Sequence, residues 1–246
     1  MPSISVLEEY MVPLLAGHRA TCRKFVLGQL QINPDSTAIY HDLIWPAMER
    51  VEKLYRADRI NVASEHMATR INRAIADQLQ LQLPKSEANG KRILIACADG
   101  EPEELGAQMC ADLFESRGWD VYFLGGGVPN DEILNLAGQL RPDILLLFGT
   151  QPAGVPGVRK LVDLIREIGV NPTMNIMVSG GVFNRADGLW KEVFADLTAK
   201  TAQQAIGIAE AAAPRIPTAP KQGAPKKRRR RRRAALVGAG EEVSAQ

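Results

Sequence analysis

Histidine and cysteine are scarce, with three of each in 246 residues, and that scarcity excludes several kinds of chemistry. Cys22, Cys97 and Cys110 form no Cys-x-x-Cys pair, and His18, His41 and His66 lie far from any zinc-type spacing. No apolar run approaches the ~18 residues of a membrane span, and the first residues show no basic stretch feeding an apolar one. Those absences argue against a membrane segment and a signal peptide. Free thiols in expected core elements suit a reducing, cytoplasmic setting. Neither Gly-x-Gly-x-x-Gly nor Gly-x-x-x-x-Gly-Lys-Ser/Thr occurs, so a nucleotide phosphate cradle is not expected. No nucleophile with a partner base stands out either, and no reaction of the chain's own is expected.

What is present is uneven. The formal net charge is +2, but residues 226–233 (Lys226, Lys227 and six arginines ending at Arg233) carry eight positive charges, leaving −6 for the rest. Residues 214–246 read as a disordered basic tail, since like charges repel and nothing apolar is available to bury. Such a tail would contact nucleic-acid phosphates without reading bases.

Residues 91–129 organise the chain. Ile93-Leu94-Ile95-Ala96-Cys97 is a short continuous apolar strand. An amphipathic helix follows with Met109, Cys110, Leu113 and Phe114 on its apolar face, stopped by Gly118. A second strand ends in Leu124-Gly125-Gly126-Gly127-Val128-Pro129. This is a βαβ unit, whose strand-to-helix loops gather on the carboxyl edge of a parallel sheet. Further strands are predicted at 143–148 and 174–178, with a trace at 195–197, and helices at 131–140, 158–168 and from Thr201. Residues 83–90 are a linker broken by Pro84 and Gly90. Before it, residues 1–82 show helical spacing throughout, with Asn33-Pro34-Asp35-Ser36 as a turn and Pro46 as a kink or helix start. The fold class is an all-α bundle cap on an α/β Rossmann-like (flavodoxin-like) parallel-sheet domain at 91–213.

Four glycine-rich loops (100–106, 125–129, 149–157 and 179–183) follow strands and are expected to converge on one rim. Glycine lets backbone approach a ligand closely. Glu101, Glu103 and Glu104 crowd a helix start, where the helix dipole accounts for them without a catalytic role. Glu65-His66 opens another helix, with Tyr55 before it.

Together these features resemble the corrinoid-binding proteins, in which a helical cap precedes a Rossmann-like vitamin B12 domain. The residues that carry the resemblance are Gly118-Trp119-Asp120-Val121, Leu124-Gly125-x-x-x-Pro129, Gly180-Gly181, and Tyr55 followed after nine residues by Glu65-His66. The last is similar to the feature of B12-dependent light-sensing regulators in which a Trp is followed after nine residues by Glu-His, with Tyr55 here in place of the Trp. In the family's Asp-x-His-x-x-Gly loop the histidine is the lower cobalt ligand; here the loop reads Glu101-Pro102-Glu103-Glu104-Leu105-Gly106, with Glu103 in that place. Around Leu146, where the family often has a serine against the nucleotide tail, the chain is apolar and Thr150 is the nearby hydroxyl.

The resemblance implies a cofactor site of Tyr55, Glu65, His66, Glu101, Glu103, Gly106, Gly125, Gly126, Val128, Thr150, Gly180 and Gly181, with His66 as the metal ligand. It implies cobalamin or another tetrapyrrole, bilin or haem. The leading expectation is a sensory or regulatory protein, light-responsive and acting on transcription through a regulator or signalling partner, with a homo-oligomer allowed. A corrinoid shuttle or methyltransferase component and a cofactor-free interaction module stand as alternatives. The cap is expected to cover the carboxyl rim, with Leu54, Val62 and Met67 beside Tyr55 and His66.

Overall fold

The computed structural model describes residues 5–217; the stretch 226–233 and most of the expected basic tail lie outside them. The chain opens with α1 (Val6–Leu15), capped reciprocally by Ser5 and Glu8, followed by α2 (Arg19–Ile32). Asp35 caps α3 (Ser36–Ile39) through the amides of Thr37 and Ala38. A π turn (Tyr40–Ile44) then leads directly into α4 (Trp45–Arg56). Pro46 lies in the first turn of α4, one of the two places the sequence allowed it, where its missing N–H matters least; the wide turn before it lets the Trp45 amide reach the Tyr40 carbonyl, so the backbone stays helical from α3 into α4. Asn61 caps α5 (Val62–Gln80) by accepting from the Ser64 amide.

The second layer system runs β1 (Arg92–Cys97), α6 (Leu105–Ser116), β2 (Asp120–Gly125), α7 (Asn130–Leu140), β3 (Ile144–Phe148), α8 (Val155–Ile168) and β4 (Asn175–Ser179). It ends with α9 (Gly181–Arg185), α10 (Leu189–Glu192), β5 (Leu197–Ala199) and α11 (Ala202–Ala211). All neighbouring strands are parallel, in the order β2-β1-β3-β4-β5. β3 is central and buried at every position, which is why it reads Ile-Leu-Leu-Leu-Phe without alternation. β2 lies at the edge and is partly exposed.

Alternate residues of each strand serve two cores. Leu94, Ala96, Leu145, Leu147, Ile176 and Val178 pack with α7 and α8. On the opposite face Ile93, Ile95, Leu146 and Met177 pack with α6 and α11, and this core continues without a break into Tyr40, Ile44, Ile71 and Ile75 of the cap. At that junction the Tyr40 hydroxyl lies 2.9 Å from both the Ala76 carbonyl and the Asp112 carboxylate. Burial pushes Asp112 up to about 6. Gln108 also donates to Asp77 across the seam, at 2.6 Å.

Two sequence expectations change at the end of the domain. Ser179-Gly180-Gly181 does not simply turn; Gly181 starts the short α9. Residue 215 is not part of a loose tail, because Arg215 donates to Asp196 at 3.1 Å and its amide bonds the Thr173 carbonyl. Among the described residues no helix is long and apolar enough to cross a membrane.

Candidate functional site

The loop after β1 places three glutamates in three different environments. Glu101 is buried and accepts from both the amide and the hydroxyl of Thr150, each at 2.5 Å, and from the Glu103 amide at 3.2 Å. It ties the β1 loop to the β3 loop. Glu104 accepts from Arg73 of α5 at 2.9 Å and from the Gly126 amide at 2.8 Å, and its pairing with Arg73 and Gly126 holds its carboxyl below the usual range. It ties the cap to the β2 loop. Glu103 has no such anchor. Burial, then the negative charge of Glu65 and Glu101, then a hydrogen bond shared with Glu65 push its carboxyl up to about 7.

Glycine is required beside this loop for reasons of space. A Cβ at Gly106, in the first turn of α6, would fall 2.3 Å from Cζ of Phe148. Gly180 has φ of 101°, and a Cβ there would lie 2.3 Å from the Gly149 carbonyl oxygen. The sheet's carboxyl edge is therefore flat backbone and packed aromatic rather than projecting side chains.

Above that edge the cap leaves a cleft of about 870 Å³. Tyr55, Glu65 and His66 line it from α4 and α5; Glu103, Gly106, Thr150, Gly180 and Gly181 line it from the sheet side. The His66 side chain is 58% exposed, with Nε2 3.6 Å from Glu65, which also accepts from Thr69 at 3.3 Å. Val62 reaches the cleft, whereas Leu54 and Met67 do not line it. A clamp crosses the mouth: Arg185 of α9 pairs with Glu52 of α4 and donates to the Thr150 carbonyl at 2.5 Å.

The remaining candidates lie elsewhere. Glu101 is beneath the cleft as a brace, and Gly125, Gly126 and Val128 do not line it. The cause is topological: β2 is the edge strand, and Glu104 stands against Gly125 and Gly126. The rim is built by the loops of β1, β3 and β4, across the point where strand order reverses. Trp45, Met48, Glu52, Lys53, Arg56, Phe148 and Arg185 line the cleft without having been singled out in the sequence. The polar face of α4 was the available signal for Lys53 and Arg56; none existed for Arg185.

Cys97 and Cys110 are pushed up to about 12 by burial and are inert as thiolates. No group of three or more His, Cys, Asp or Glu side chains is arranged for a metal among the described residues.

Comparison with known proteins follows this geometry closely. Two family models, each described as a B12 binding domain, match the chain, one over residues 91–207 and the other over residues 6–80. Dimethylamine corrinoid protein 1 of Methanosarcina acetivorans is 23% identical over 214 residues, spanning 82% of this chain and 97% of that protein. The solved monomethylamine corrinoid protein of Methanosarcina barkeri shares the fold, with a TM-score of 0.76 at 17% identity, covering 83% of this chain and 96% of that one. The HTH-type transcriptional repressor CarA of Myxococcus xanthus is 33% identical, but over 89 residues, 36% of this chain and 31% of that protein. The full-length likeness is thus to corrinoid proteins. It overturns the expected transcription-regulator partner, which rested on the Glu65-His66 feature of the cap, the lack of a nucleophile with a partner base, and the basic tail.

The residues fit a flat macrocycle but not every way of ligating it. The cleft walls are largely apolar, and Asn184, which lines it, has a buried Oδ1 with no donor, suited to a peripheral amide of a corrin ring. On the sheet side no imidazole is present; Glu103 stands there, a poorer donor to cobalt.

Proposed function

We propose that this chain, a B12-binding-domain protein related to the corrinoid proteins, holds a cobalamin-type corrinoid between cap and sheet and carries it as the corrinoid component of a methyl-transfer system. The reading is carried by the cleft, with flat backbone at Gly106, Gly180 and Gly181 on one wall and Tyr55 and His66 on the other. Bound there, the cobalt would supply the centre that accepts and gives up a methyl group. The chain's own part is to bind, orient and exclude water. Tyr55 and Phe148 offer apolar cover, and His66 offers an imidazole to the cap-side face. The Glu101–Thr150 and Glu104–Arg73 braces keep the rim loops rigid, so that little ordering is left for ligand binding to supply. With the thiols buried and no nucleophile–base pair in the cleft, the chain acts as a carrier and leaves the chemistry of the methyl donor and acceptor to its partners.

Incubation with hydroxocobalamin, haem and a bilin, followed by gel filtration, tests the ligand class. Corrin absorbance should co-elute with the protein at about one per chain. Retention of haem or bilin instead would reassign the ligand. For the carrier role, the protein loaded with methylcobalamin should keep its methyl group alone in the dark and lose it when a corrinoid:thiol methyltransferase and thiol are added. A methyl group left untouched, with a light-driven change in elution volume of the adenosylcobalamin-loaded protein, would favour a sensory protein over a carrier.

A further inference from the structure

Cobalamin is a flat ring with a nucleotide loop of phosphodiester, ribose and base hanging from one face. To house that loop on the sheet side, the wall under the ring would need depth and polar partners. Among the described residues it has neither. The floor of the cleft is made by Leu105, Gly106, Met109, Phe148, Gly180 and Gly181. Leu105, Met109 and Phe148 line it and yet are no more than 4% exposed, because they form the upper surface of the core that sheet and cap share. Phe148 closes the middle of this floor. Its Cζ would lie 2.3 Å from a Cβ at Gly106, so the ring tip rests on the first turn of α6 and seals α6 against β3. Behind it on the same strand face, Leu146 is fully buried. The polar groups nearest the floor are already used. Ser179, the register partner of Phe148, donates to the Ala199 carbonyl at 2.8 Å, and the Thr150 hydroxyl donates to Glu101 at 2.5 Å. Arg185, which reaches the Thr150 carbonyl, is paired with Glu52. A phosphodiester brought down to this floor would lose its water, gain no donor and stand beside the Glu101 and Glu103 carboxyl groups.

We infer that Phe148 sets the specificity of the cleft: it fills the depth a nucleotide loop would occupy, so the site recognises the corrin ring alone and prefers a loop-free corrinoid to cobalamin. This rests on the corrinoid reading above. Cobalamin binds more weakly, with its loop turned out through the mouth.

The test titrates the full chain with hydroxocobalamin and, in parallel, with cobinamide, which lacks the nucleotide loop, reading binding from the quenching of tryptophan fluorescence. Cobinamide should bind about 10-fold more tightly or better. Equal affinities, or tighter binding of cobalamin, would overturn the inference without any variant being needed. Phe148→Ala opens the floor and should move the ratio of the two constants toward cobalamin by about 10-fold, and Phe148→Leu, which keeps more of the core volume, should move it less. Because the ratio compares two ligands on one protein, a general loss of stability cancels from it. A ratio left unmoved by the folded variants would overturn the assignment to Phe148. Retention of neither corrinoid by the unaltered chain would remove the corrinoid reading itself, so the two failures are distinguishable.

Discussion

Three glutamates within four positions show how far a side chain's surroundings decide its role. Glu101 and Glu104 are each held by hydrogen-bond donors, Glu101 joining the β1 and β3 loops and Glu104 joining the cap to the β2 loop. Glu103, between them, faces Glu65 with little to compensate its charge, and it is pushed up to about 7. Its folded-state value exceeds its usual 4.5, so the folded protein holds this proton more tightly than the unfolded chain does. Stability contributed at this site is therefore greatest below the unfolded value and falls as pH rises between 4.5 and about 7. Glu103→Gln keeps a hydrogen-bonding amide and cannot ionise. Urea denaturation should find the variant little changed near the acid end of that window, and more stable than the parent above it by about 1–3 kcal/mol. A constant difference across the window would show that Glu103 is not the group responsible.

At the scale of elements, the start of α6 is shaped by what β3 puts beside it. Phe148 closes the strand and lays its ring against Gly106, so this helix can begin where it does only without a side chain at that position. Gly106→Ala should lower stability by about 1–3 kcal/mol through overpacking, read from thermal melts. The cost of Gly106→Ala should be smaller when measured in a Phe148→Ala background, because the contact is then gone. If the double change is simply additive, the two residues do not press on each other. The π turn before α4 is a second instance of an element set by its neighbours. It absorbs Pro46 and aims Glu52, Lys53 and Arg56 over the rim instead of ending the helix.

In the whole molecule, the cap is not a separate body resting on the sheet. One continuous core joins Tyr40, Ile71 and Ile75 of the cap to Ile93, Ile95 and Leu146 of the sheet. Tyr40 fastens that junction through the Ala76 carbonyl and Asp112. Tyr40→Phe removes the single O–H that these two buried acceptors share and should cost about 1–3 kcal/mol. Because Trp45 lies in the cap and Trp119 in the other layer, tryptophan fluorescence reports both parts. Fluorescence and far-ultraviolet circular dichroism should melt together in the parent chain. Two separated transitions would mean that the cap unfolds independently of the sheet.

Much of this architecture could be read from residues alone, because it depends on local period and composition. The helical spacing before the linker, the apolar runs of β1 and β3, and the glycine loops after strands are consequences of burial and backbone freedom acting over a few residues. The sequence pattern of a cap with Glu65-His66 and a glycine-rich α/β domain was also enough to point to a corrinoid-type protein. What the sequence could not rank was the four loops, since strand order alone puts β2 at the edge and takes Gly125, Gly126 and Val128 away from the cleft. Nor could it separate the glutamates. Thr150, Arg73 and Glu65 lie 49, 31 and 38 positions from Glu101, Glu104 and Glu103 respectively, and only folding brings each against its partner. Arg185 and Glu52, 133 positions apart, meet across the mouth for the same reason. Short-range regularities determine which elements form, whereas the charge, packing and ligands of a site at their junction are decided by long-range proximity, which no local pattern encodes.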